Sequence, residues 1–75
     1  MPKLPRVNAR RLVAALRRAG FVDDRQKGSH LTMRHPGRPG RVVIPMHPGD
    51  LSTGLVHDIL REAGLTAGEF LQFLR

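Results

Sequence analysis

Apolar residues recur with a helical period in two stretches of the chain, and between those stretches the period changes to two. After Asn8, the residues Ala9, Leu12, Val13, Leu16 and Ala19 fall on one side of a helix while Arg10, Arg11, Arg17 and Arg18 fall on the other, which predicts an amphipathic helix capped by Asn8. Gly20 ends it, and a left-handed glycine there folds Phe21 back on Leu16. From Leu51 onward the helical period returns. Ser52 caps a second helix, Leu51 can staple onto Val56, and Leu55, Val56, Ile59, Leu60 and Ala63 make its buried stripe. Gly64 closes that helix with Leu65 turned back on Leu60. Thr66, with Glu69 three positions on, is a capping box for a short last helix that carries Phe70, Leu71, Phe73 and Leu74.

From Phe21 to His47 the β-branched content and the Gly/Pro punctuation predict three short strands, near 21–26, 29–35 and 41–46. Lys27 and Gly28 form the first hairpin turn, and residues 36–40 a longer basic loop. In the middle strand Leu31 and Met33 point one way and His30, Thr32 and Arg34 the other. In the third, Val42 and Ile44 face inward while Val43 and Pro45 face outward, and Pro45 argues for an edge or a strand end. The order helix, three-stranded antiparallel sheet, helix, short C-terminal helix defines an α+β fold. Both long helices should pack together on one face of the sheet and leave the other open.

Seventy-five residues predict one domain, 1–75, without internal repeats. Charge changes the picture more than length does. Residues 1–41 hold 11 of the 13 Lys and Arg against Asp23 and Asp24, a balance of +9, whereas residues 42–75 hold two Arg against four acids, a balance of −2; together they give the net +7. A field so concentrated attracts polyanions, which makes nucleic acid the leading partner class over a merely solvated basic surface. The absence of cysteine excludes disulfides and thiolate metal sites and fits a reducing compartment such as bacterial cytoplasm. The basic N-terminal stretch leads into no apolar segment, and no 18-residue apolar run exists, so neither export nor a membrane span is expected.

The stretch from Phe21 to Pro36, with Lys27-Gly28-Ser29-His30 and then His35-Pro36, resembles the signature of the HicA toxin family, in which Gly-Ser-His opens the second strand. Ile44-Pro45-Met46-His47 is similar to that family's apolar-Pro-apolar-His segment. Gly54 to Gly64, followed by Leu65-Thr66, is similar to its closing helix. The resemblance runs in order from about residue 8 to the end. It implies a double-stranded-RNA-binding-like fold, messenger RNA as target, catalysis by His30, and inhibition by a HicB-type antitoxin protein in a type II toxin–antitoxin system.

Cutting RNA without a metal requires a base for the 2′-hydroxyl and cations to hold the phosphate as charge builds on it. Histidine suits the first role, with an unperturbed pKa of ~6.5. For binding RNA, Lys27 beside the turn and Arg34 on the face of His30 supply cations, Arg38 extends the basic loop, Gly28 permits close backbone approach and Ser29 adds a donor. His47 either donates to the phosphate or merely ends its strand; His35 and His57 are surface residues. The spacings of the four histidines match no metal-ligand pair and no acid cluster accompanies them, so neither a metal nor a small-molecule cofactor is expected. The helix-one arginines either face solvent, meet RNA or recruit an acidic partner such as the antitoxin. Phe21, Phe70 and Phe73 sit at core positions, which leaves no platform for base stacking. The alternative reading is a non-catalytic module that binds double-stranded RNA by shape.

Overall fold

The computed structural model describes residues 3–74; Met1, Pro2 and Arg75, which the expected domain 1–75 includes, lie outside the described residues. Six elements follow one another: α1 Ala9–Arg18, β1 Val22–Lys27, β2 His30–Arg34, β3 Arg41–Pro45, α2 Thr53–Ala63 and α3 Ala67–Phe73. The strands form one antiparallel sheet in the order β1-β2-β3, and the fold is α+β, of the double-stranded-RNA-binding-like kind.

The caps read from the sequence are formed. Asn8 Oδ1 accepts from the Arg11 N–H at 2.9 Å, Ser52 Oγ from the Leu55 N–H at 3.2 Å, and Thr66 and Glu69 exchange reciprocal bonds at the start of α3. Gly20 takes φ +102° and the Phe21 N–H donates to the Leu16 carbonyl, which drives the Phe21 ring into the core. Ala15 is more deeply buried on α1 than Ala19.

Leu31, Met33, Val42 and Ile44 are the inward side of the sheet, and they share one cluster with Leu12, Leu16, Ile59, Leu60 and Phe70. Burial of each such side chain contributes about 1.5–3 kcal/mol. The turn between β1 and β2 differs from expectation by one residue. Lys27 pairs with His30, so Gly28 and Ser29 are the two turn residues. The reason is conformational: Gly28 has φ +59° and Ser29 does not have positive φ, and a two-residue turn with the left-handed residue first takes glycine at its first central position.

α1 and α2 both pack on the inner side against β3, but they do not pair chiefly with each other as expected. α3 touches both. Phe70, the largest fully buried side chain, needs both apolar stripes to cover it, and the Arg18 guanidinium fastens the far end by donating to the Phe73 carbonyl at 2.8 Å. Leu4 and Val7 also enter the core. Their segment is held by the Leu51 N–H donating to the Val7 carbonyl at 2.8 Å and by a bridge between Asn8 and Asp50.

Candidate functional site

The outer side of the sheet is open, and the strand register sets its residues in three rows. Directly opposed residues of an antiparallel pair share a side and stand ~4.5–5.5 Å apart at Cβ. The first row is Lys27, His30, Pro45; the second is Arg25, Thr32, Val43; the third is Val22, Arg34, Arg41. His30 is exposed at the end of β2 beside the turn, with Lys27 as its neighbour on β1.

His47 joins the first row from beyond β3. The Met46 N–H donates to the Ser29 carbonyl, which carries the β2–β3 pairing one residue past Pro45. Pro48 then favours an extended His47, and Gly49, at φ +86°, turns the chain toward Asp50 and its bridge with Asn8. The result sets the imidazoles of His30 and His47 edge to face, with ring centroids 6.1 Å apart and planes at 81°. A cleft beside His47 has Pro48 and Gly49 on one side and Asn8 and Arg10 on the other.

The remaining basic residues divide. Arg34 shares the open side but lies four residues from His30, about 13 Å along the strand, and its Nε is 3.5 Å from Asp24 Oδ1. Arg41, opposite it, donates to Asp24 Oδ2 at 2.8 Å. The hydrogen bond from Arg41, assisted by the charges of Arg41, Arg34 and Arg25, holds the Asp24 carboxyl below the usual carboxylate range. Arg38 is not brought to His30. It lies at the other end of the sheet, where its guanidinium donates to the carbonyls of Ala63 and Gly64 at 2.8 and 3.2 Å and so satisfies the C-terminal end of α2. His35 is likewise engaged there: its Nδ1 accepts from the Gly37 N–H at 2.9 Å and its ring meets Phe21 edge-on at 5.2 Å, so it is a half-buried packing residue rather than a free surface one. His57 is exposed on α2.

Asp24 escapes a reading by period because β1 carries a bulge. The register shifts between Asp23 and Arg25, so Asp24 has no cross-strand partner. A strict alternation counted back from Lys27 puts Asp24 inward; instead Asp24 reaches the outer arginines and Asp23 turns to α1, where Arg17 meets it at 2.8 Å. Arg25 is exposed two residues from Lys27 and makes no ion pair among the described residues. Among the described residues no group of three or more His, Asp or Glu converges as a metal site would require, and no helix is long and apolar enough to cross a membrane.

The family model described as the HicA toxin of bacterial toxin–antitoxin matches residues 9–65, 57 of the 75. The chain belongs to the HicA toxin family. This HicA chain is thus a toxin of a toxin–antitoxin system, and membership implies an antitoxin partner. The match takes in α1, the whole sheet and α2, and therefore every residue of the three rows. Comparison with curated proteins returned no match to this HicA chain.

Proposed function

We propose that this toxin is an endoribonuclease, one domain over 1–75, that cleaves messenger RNA in the bacterial cytoplasm without a metal or small-molecule cofactor. His30 is the general base that takes the 2′-hydroxyl proton as that oxygen attacks the adjacent phosphorus. Lys27 holds the phosphate oxygens, Gly28 and Ser29 let the strand approach the turn, and Arg25 and Arg34 guide the backbone across the sheet. The observation that carries this reading is the exposed imidazole of His30 between Lys27 and His47 on a sheet side that no helix covers. Asp24, the carboxylate that reaches the outer side of the sheet, is taken up by two arginines, and among the described residues no acid cluster offers itself to Mg²⁺.

A HicB-type antitoxin inhibits by lying over the same side. Val43 is 45% and Val22 39% exposed there, apolar area that a partner can bury while setting carboxylates against Lys27 and Arg25. The test compares wild type with His30→Ala. Induced wild type should arrest growth, and the purified protein should cut single-stranded RNA in EDTA to leave a 2′,3′-cyclic phosphate and a 5′-hydroxyl. His30→Ala should lose about 10² to 10⁴ of the rate with its fold intact. Salt-sensitive binding to double-stranded RNA with no cleavage by either protein would favour the non-catalytic module instead.

A further inference from the structure

The cyclising cleavage of RNA moves two protons. One leaves the attacking 2′-hydroxyl and the other must reach the departing 5′-oxygen, because an alkoxide is a poor leaving group in water. His30 accounts for the first only. We propose that His47 is a second catalytic residue, the general acid that protonates the 5′-oxygen; this rests on His30 being the base.

The geometry argues for it on three counts. A group that transfers a proton must come within about 2.6–3.2 Å of the oxygen concerned, and the two rings, with centroids 6.1 Å apart, are near enough for both to reach oxygens of one phosphate seated against them. One phosphate can therefore lie with its attacking oxygen at His30 and its leaving oxygen at His47. The rings are nearly perpendicular and make no hydrogen bond to each other or to another group among the described residues, so their nitrogens remain available to substrate. His35, by contrast, has its Nδ1 occupied by a backbone N–H. Finally, the backbone on both sides of His47 is fixed, by Met46 on Ser29 and by Asp50 on Asn8.

Lys27 is the other proton donor within the row, but an ammonium releases its proton reluctantly near neutral pH and is better suited to holding the non-bridging oxygens. The step balances without a redox partner. The 2′-oxygen forms its bond to phosphorus while its proton passes to His30; the bond from phosphorus to the 5′-oxygen breaks with its electron pair on oxygen; and the proton of the His47 imidazolium closes the 5′-hydroxyl. His30 ends protonated and His47 neutral, and exchange with water restores both.

The experiment uses two substrates of one RNA sequence, the ordinary one and one with sulphur in place of the bridging 5′-oxygen at the cleaved position. A thiolate leaves without a proton, so only the acid becomes dispensable. On ordinary RNA, His47→Ala should cleave about 10²- to 10⁴-fold more slowly than wild type. On the sulphur substrate it should return to within about tenfold of wild type, whereas His30→Ala should stay slow on both. Thermal melting of each variant checks the fold, and both side chains are exposed. Equal loss of His47→Ala on both substrates, or recovery by His30→Ala instead, overturns the assignment of His47 while leaving the nuclease reading standing. Wild type that cuts neither substrate overturns the nuclease reading itself.

Discussion

Arg34 and Arg41 face each other across β2 and β3 and lean on the two oxygens of one carboxylate, Asp24, at 3.5 and 2.8 Å. Two positive charges on the open side are thereby partly neutralised by a residue that exists there only because β1 bulges. Asp24→Asn should free both arginines, so RNA affinity should rise and its salt dependence steepen, measured with a 2′-O-methyl oligonucleotide that cannot be cut. An unchanged or shallower slope would show that RNA does not cross this row.

The same carboxyl predicts a sign for acid stability. Its folded value is depressed by Arg41 and, more weakly, by Arg34 and Arg25, so the contribution is fully present above the ordinary carboxylate value of ~3.9 and is lost as pH falls through the lower folded value. Glu69, depressed by the Thr66 backbone N–H and then by the Thr66 hydroxyl, acts in the same direction. Melting temperature should drop below about pH 4, and the drop should be smaller in Asp24→Asn and in Glu69→Gln. A melting temperature that stays flat down to pH 2 in wild type would contradict this.

Lys27 and Arg25 should each contribute about −0.7 to the slope of log affinity against log salt for a single strand. Lys27→Ala and Arg25→Ala should flatten it accordingly, while Arg38→Ala should leave it unchanged because that guanidinium is occupied at α2. A flattened slope in Arg38→Ala alone would move the phosphate track to the other end of the sheet.

Arg38 should instead register in stability. Gly64 sits at φ +74°, and a Cβ there would lie 2.8 Å from the Arg38 guanidinium. Gly64→Ala should cost about 1–2 kcal/mol for the left-handed backbone and also displace the guanidinium. Arg38→Ala should cost about 1 kcal/mol through the two lost carbonyl bonds. The double variant should be less destabilised than the sum of the two, since each disturbs the same contact. Strict additivity in denaturant melts would count against the shared contact.

His30→Ala should still bind the antitoxin, because Val43, Lys27 and Arg25 surround the missing ring. Hydrogen exchange on free and bound toxin should show protection over residues 25–30 and 43–47. Protection confined to α1, α2 and α3 would point to inhibition at a distance rather than cover of the open side.

Most of the fold was legible because helix period, caps and strand alternation all agree: Asn8, Ser52, Thr66 and the inward Leu31 and Met33 are where their residue types predict. The bulge at Asp24 was not, since one extra residue inverts the alternation without any Gly or Pro to mark it. Leu4 and Val7 were hidden in a basic, proline-interrupted stretch with no period. The nearness of His30 and His47 depends on the bond between Met46 and Ser29, a contact across 17 residues of chain that no local spacing encodes. Arg38 looked like part of a basic loop because sequence shows a charge but not the helix end it satisfies.

The bond from Arg18 to Phe73 spans 55 residues. During synthesis α1 emerges first and can meet the sheet early, but its contact with α3 can form only once Phe70 has been made. The core behind the sheet that carries His30 also takes in Phe70, so its closure waits for the end of the chain.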